Sequence, residues 1–224
     1  MAASTATDNT AIDTPATGNT VKLYTNPQSR GQIAHWMLEE TGVPYEVELL
    51  DLSRGEHKTP DYLRINPMGK VPAIVHRGVV VTECAAICAY LADAFPEAGL
   101  APAIDDPARG TYYRWLFFAA GPVEMAVTDK SLGRTAERPG MLGYGTYKDT
   151  LDTLEAALAR GPWLLGDRFT AADVYVGAHI GWGLYFGGIE KRDVFVAYHE
   201  RLNARPAAKR SAEANAKLEE RLKG

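Results

Sequence analysis

Cysteine is nearly absent from this chain of 224 residues, which has two, Cys84 and Cys88. They lie four apart on one expected helix, where side chains in register sit about 5–6 Å apart between Cβ atoms. A relaxed disulfide wants about 3.8 Å, so both are expected as free thiols, as suits a reducing cytoplasm. No apolar run approaches the roughly 20 residues of a membrane span. No basic stripe is present and the net charge is −4, which points away from nucleic acid and anionic membranes. His35, His57, His76, His179 and His199 show no metal-ligand spacing, so no metal is expected. Gly143-Tyr144-Gly145 lacks the third glycine of a dinucleotide loop and reads as a turn. The first 20 residues have neither the basic start nor the apolar stretch of a secretory signal. Rich in Ala and Thr, residues 1–20 read as a disordered tail. No internal repeat is visible.

What remains is an ordinary globular composition, 46% hydrophobic and 23% charged, long enough for two modest domains. Its most informative stretch is Asn66-Pro67-Met68-Gly69-Lys70-Val71-Pro72, followed by the extended run Ala73-Ile74-Val75. Pro72 has no N–H to give a ladder, and X–Pro bonds are where a cis peptide costs least. A cis bond here would turn the Val71 N–H and C=O away from the sheet edge. They would then pair with a peptide-like ligand as an added strand does. A turn at Arg77-Gly78, a second apolar run from Val79 to Val81 and Thr82-Glu83-Cys84 come next. The clamp thus stands beside a helix N-terminus.

The organisation follows from periodicity. Val21 to Tyr24 reads as a strand, Thr25 to Ser29 as a loop, Arg30 to Thr41 as a helix ended by Gly42, and Tyr45 to Leu50 as a strand. A short helix is expected after Pro60, then a hairpin around Gly78. Cys84, Ile87, Cys88, Leu91 and Phe95 make a buried stripe on a helix from Glu83 to Phe95. Residues 21–95 form a small α/β domain of order βαβαββα, 96–106 a proline-rich linker, 107–210 an all-helical domain, and 211–224 a helical extension. Ala108 to Val127 is expected to break or kink near Gly121-Pro122. Thr170-Ala171-Ala172-Asp173 resembles a capping box, with Phe169 and Val174 as its hydrophobic staple. Two domains so joined leave a crevice where ligands bind.

Three segments in this order carry a family resemblance. The first runs from Leu23-Tyr24 through Ser29-Arg30 to Leu38-Glu39-Glu40-Thr41-Gly42. The second is Asn66 to Pro72 with Thr82-Glu83-Cys84-Ala85-Ala86-Ile87. The third is Gly166-Asp167-Arg168-Phe169-Thr170-Ala171-Ala172-Asp173. Together they resemble the cytosolic glutathione S-transferases, over about Val21 to Arg210. The resemblance implies a thioredoxin-like N-terminal domain, a C-terminal all-helical bundle, a homodimer, and glutathione as co-substrate in the cytoplasm. It further implies transfer of the glutathione thiolate to a small hydrophobic electrophile. Isomerase, peroxidase and non-catalytic glutathione-binding roles use the same site.

The resemblance also places the chemistry. A free thiol with pKa about 8.5 is only a few per cent thiolate at neutral pH. Each unit of lowering takes about 1.4 kcal/mol, the order a hydroxyl donor and a helix N-terminus supply. Ser29, just before the first helix, is the candidate donor, with Tyr24 and Arg30 as alternatives. Ser29 as a cap of its own helix, Tyr24 as a half-buried strand residue and Arg30 as a surface charge are the plain structural readings. No cysteine stands in this segment, so a covalent mixed disulfide is not expected. Val71 and Pro72 would hold the cysteinyl unit, and Glu83 and the Cys84 N–H the γ-glutamyl end. Lys70, with His57 and Lys58 behind it, would meet the glycyl carboxylate. Where this chain has Cys84 the family usually has Ser, a better donor than a thiol. Tyr113 and Trp115, from a helix crowded with aromatics, are the candidates for the electrophile pocket.

Overall fold

The computed structural model describes residues 19–135 and 137–224; the tail expected over 1–20 lies almost wholly outside them. The N-terminal part has the expected order: β1 (Val21–Thr25), α1 (Gly31–Thr41), β2 (Tyr45–Leu49), α2 (Pro60–Ile65), β3 (Ala73–His76), β4 (Val79–Thr82) and α3 (Cys84–Ala94). The strands lie in the order β2-β1-β3-β4. The β1–β2 pair is parallel, as its helical crossover requires. The β1–β3 and β3–β4 pairs are antiparallel. Fold and topology are those of a thioredoxin-like domain.

Central strands β1 and β3 are buried on both faces and read as near-continuous apolar runs. The α3 stripe packs beneath them: Ile87, Cys88 and Leu91 are fully buried and Phe95 is 1% exposed. Each large apolar side chain so buried contributes about 1.5–3 kcal/mol. Both cysteines are free.

The second part is all helix: α4 (Ala108–Phe118), α5 (Glu124–Ser131), α6 (Tyr147–Leu158), α7 (Ala171–Phe186), α8 (Asp193–Asn203) and α9 (Pro206–Lys223). The expected kink is a π-helical turn, Ala119–Val123, containing Pro122. Pro122 brings no N–H, and the ladder widens by one residue to pass it. Helix α7 is the centre of the bundle, buried nearly all round. A Cβ at Gly177 would stand 2.1 Å from Leu202 Cδ1, so glycine is what lets α8 close on it. The capping box is present. Asp173 is fully buried. It accepts from the Leu164 and Thr170 N–H groups and from the Thr170 and Tyr198 hydroxyls.

Helix α9 runs unbroken through the boundary expected at 210/211. It is tied to α1. Arg210 Nε donates to Glu39 at 2.7 Å, and buried His35 meets Asn215 at 3.2 Å. Just before α9, Arg205 grips Glu40 through two nitrogens, each at 2.7 Å. Among the described residues no helix is long and apolar enough to cross a membrane, and no cluster of metal-ligating side chains occurs.

Candidate functional site

The loop that enters β3 is braced from behind. The Lys70 carbonyl accepts from Tyr62 Oη (2.6 Å) and from Asn66 Nδ2 (2.9 Å), while Asn66 Oδ1 takes the Met68 N–H (3.1 Å). Asn66 is 3% exposed, so these bonds are made in a low-dielectric setting where they are strong. Gly69 sits at φ 57°, and a Cβ there would fall 2.7 Å from the His57 carbonyl. Lys58 Nζ donates to the Met68 carbonyl at 2.9 Å. His57 and Lys58 therefore stand behind this loop. The Val71–Pro72 peptide is cis, and the ladder begins only at Ala73.

Glu83 is exposed at the N-cap of α3, with φ 66° and no side-chain capping bond. A residue with a side chain held at positive φ costs of order 1–3 kcal/mol, and such positions gather at ligand clamps. Val71, Pro72, Lys70, Glu83 and Cys84 line one cleft of about 300 Å³. Arg30, Asn66, Met68 and Ala85 line it from the same domain, and Ala120, Glu124 and Tyr175 from the helical one. Among the described residues neither Glu83 nor Lys70 has an ion-pair partner. A carboxylate, an ammonium and the free N–H groups of a helix N-terminus thus converge on it, enough to hold a zwitterionic ligand at both ends.

Cys84 is 8% exposed. Burial pushes its thiol up to about 12, so it stays protonated and its Sγ donates to the Arg30 carbonyl at 3.7 Å. That contact fixes the start of α3 to the start of α1. The Arg30 side chain bridges the domains to Glu124 on α5. The other Glu124 oxygen is 3.7 Å from His179 Nδ1.

The other expected donors are placed differently. Ser29 Oγ donates to the Asn26 carbonyl at 2.6 Å and accepts the Gly31 N–H at 2.9 Å. Its one proton is committed within its own loop, and Ser29 is not among the residues lining the cleft. Tyr24 is 9% exposed and packs against Tyr62, ring centroids 5.7 Å apart, also outside the lining.

A second cavity, of about 280 Å³, opens between α1, α7, α8 and α9. Trp36 and Trp182 line it and no Lys, Arg, Asp or Glu does. It offers nothing to hold charged ligand termini, so the first cleft is the candidate site.

Residues 19–93 match the family described as "Glutathione S-transferase, N-terminal domain", and residues 126–183 match "Glutathione S-transferase, C-terminal domain". The chain belongs to the glutathione S-transferase family. Glutathione S-transferase GST-4.5 of Xanthomonas campestris is 33% identical over 188 residues, 78% of this chain and 90% of its own. A solved glutathione transferase of Methylococcus capsulatus is 34% identical with TM-score 0.73, covering 88% of this chain and 98% of that one. A sphingomonad glutathione S-transferase solved in complex with glutathione is 30% identical with TM-score 0.72, covering 87% and 98%.

Within this transferase fold the two aromatics expected at the electrophile pocket do not reach the cleft. Trp115 is 2% exposed, its ring edge-on to Phe118 and covered by the Arg114 guanidinium 4.3 Å from its centroid. Tyr113 accepts from Arg109 Nη2 at 2.8 Å and is 38% exposed. The reason is periodicity: Tyr112, Trp115, Leu116 and Ala119 fall at i, i+3, i+4 and i+7 and all are 2% exposed or less. The helical wall instead uses Ala120, Glu124 and Tyr175, with His179 behind. The sequence reading missed these three side-chain positions and the Asn66 brace. The only local pointer to Glu124 is its place two residues after the kinked Pro122.

Proposed function

We propose that this protein binds glutathione in the cleft and transfers its thiolate to small, largely apolar electrophiles. The observation that carries the reading is the meeting of Val71, Glu83, Cys84 and Lys70 at one cleft with Arg30 on its wall. The Val71 backbone pairs with the cysteinyl unit as an added strand. Glu83 holds the γ-glutamyl ammonium, and the N–H groups opening α3 hold that end's carboxylate. Lys70 meets the glycyl carboxylate. The thiolate then lies toward the start of α1, where Arg30 supplies the stabilising charge. Ser29 shapes the loop that carries Arg30, because its proton is already given to Asn26. Proximity of bound thiolate and electrophile supplies the remaining acceleration.

The reading extends to a cytoplasmic homodimer, in keeping with two buried free thiols and with Phe117, 71% exposed, as a large apolar side chain for a second copy to cover. Sedimentation analysis tests it, and a monomer at micromolar concentration ends that extension.

The decisive experiment pairs calorimetric titration of glutathione with turnover of an aromatic halide electrophile. Micromolar to low-millimolar binding with turnover is expected. Arg30→Met is expected to lower kcat/KM at least tenfold with glutathione affinity changed less than threefold. Absence of binding at millimolar glutathione defeats the reading. Binding without turnover of halide, isomerisable or peroxide substrates leaves a glutathione-binding module instead.

A further inference from the structure

We infer that Glu124 competes with the glutathione thiolate for Arg30 and so sets how readily glutathione is activated. The inference rests on the reading that Arg30 is the thiolate's partner.

The geometry is that of a pair built to be shared. Arg30 caps α1 and Glu124 opens α5, 94 residues away, and they meet across the cleft. Their side chains are 50% and 33% exposed. A pair this open to water is held by little, about 0–1 kcal/mol, so an arriving anion can take the guanidinium. A second face of Glu124 is turned to His179. That imidazole has 7% exposure, its Nδ1 is 3.7 Å from the carboxylate, and its Nε2 has no partner among the described residues. The Tyr175 ring meets it edge-on at 4.8 Å.

Every titratable neighbour leaves Arg30 as the cation that answers Glu124. From α7, burial lowers the His179 imidazole to about 4, so at neutral pH it is uncharged, and burial raises the Tyr175 phenol. From α3, burial keeps the Cys84 thiol protonated, and the Glu83 side chain stands at the N-cap with no cation paired to it among the described residues. From the loop before β3, Lys70 lines the cleft but has no ion pair to Glu124. A thiolate bound here adds a further negative charge to a site whose lining arginine, Arg30, is already paired with Glu124. Forming it means drawing Arg30 away from Glu124. Glu124 is thus a positioning residue that acts through Arg30, and it restrains activation.

The test follows the thiol itself. The ultraviolet absorbance of the bound thiolate is titrated against pH in the wild type, Glu124→Gln, Arg30→Met and the double variant, alongside the pH profile of kcat/KM. Glu124→Gln is expected to lower the apparent pKa of bound glutathione by about one unit, a tenfold gain in thiolate at a given acidic pH. The acid limb of kcat/KM should move down with it. In the Arg30→Met background the same change should move the pKa by less than a third as much. An equal shift in both backgrounds overturns the competition, since Glu124 would then act by its own charge alone. So does an unchanged or raised pKa in Glu124→Gln where Arg30→Met raises it. If Arg30→Met leaves the thiol pKa untouched, the thiolate role of Arg30 fails first and the competition falls with it. Glu124→Ala is expected to shift the pKa the same way, which guards against an effect peculiar to the amide.

Discussion

The two walls of the cleft are made on different principles. The α/β wall is mainly backbone: the Val71 peptide, the first turn of α3 and a Lys70 carbonyl gripped by Tyr62 and Asn66. Its residues come from short contiguous stretches, each braced from behind. The helical wall is side chain: Ala120 and Glu124 from either side of the Pro122 turn, Tyr175 from α7. Under the proposed reading no backbone group of that wall meets glutathione. Under the proposed reading the difference puts glutathione and its electrophile on opposite sides, with Arg30 reaching from one to the other.

The helical wall breaks most completely at its root. Tyr175 and His179 are placed by the N-terminus of α7, and that terminus hangs on Asp173. Removing its carboxylate strands two backbone N–H groups and the Thr170 and Tyr198 hydroxyls in a fully buried site. Asp173→Ala is expected to lower the unfolding free energy by about 3–5 kcal/mol, since each buried donor left unsatisfied costs about 1–3. Urea denaturation measures it, and a loss under about 1 kcal/mol would show that α7 is held by packing alone.

The α/β wall can be made more stable and less useful by one change. Glu83 holds φ 66° against the preference of any residue with a Cβ. Glu83→Gly is expected to raise the unfolding free energy by about 1 kcal/mol, because glycine relieves a strain of order 1–3 at a small entropic cost. Glutathione affinity should fall about tenfold to a hundredfold, the worth of one hydrogen bond to a charged group. Stability and binding moving in the same direction would mean that the strain at Glu83 is not there for the ligand.

The same contrast explains what the sequence made legible. The α/β wall lies in contiguous words: Asn66 to Pro72 and the Cys84 stripe are local patterns whose physics acts within a few residues. The fold followed from them. Even so, the positive φ of Glu83 and the commitment of the Ser29 proton to Asn26 needed coordinates, since both depend on how a loop closes. The helical wall has one such word, the capping box that opens α7, and none for the side chains that line the cleft. Glu124, Tyr175 and His179 come from two helices, and only tertiary packing brings them together. Trp115 was a misplacement of a different kind. The heptad-like run Tyr112, Trp115, Leu116 and Ala119 already marks the inward face of α4, and counting aromatics obscured it.

Acidity offers a finer probe of the helix both walls share. His35 on α1 is 1% exposed, bonded to Asn215 and Tyr45, and burial lowers its pKa below the ordinary 6.5. The unfolded chain therefore takes up this proton first. Stability from His35 is complete above about pH 6.5 and is lost as pH falls from there toward the lowered folded value. His35→Gln should flatten that part of the pH–stability curve while leaving glutathione affinity within twofold, because the residue faces α9 and not the cleft. A pH dependence unchanged by the substitution would assign the acid sensitivity to His76, His179 or His199 instead, whose pKa values burial also lowers.

The smallest effect is expected where the sequence placed the catalyst. Ser29 belongs to the α/β wall's first loop, and its hydroxyl closes a turn between the Asn26 carbonyl and the Gly31 N–H. Ser29→Ala loses both bonds at a half-buried position, which should cost about 1 kcal/mol of stability. The loop also carries Arg30, so some slackening of the guanidinium follows, but no donor to the thiolate is lost. The expected change in kcat/KM is less than threefold, against at least tenfold for Arg30→Met. A tenfold fall in Ser29→Ala with normal glutathione affinity would mean that the hydroxyl leaves Asn26 for the sulfur when the ligand arrives, and the α/β wall would then supply activation as well as binding.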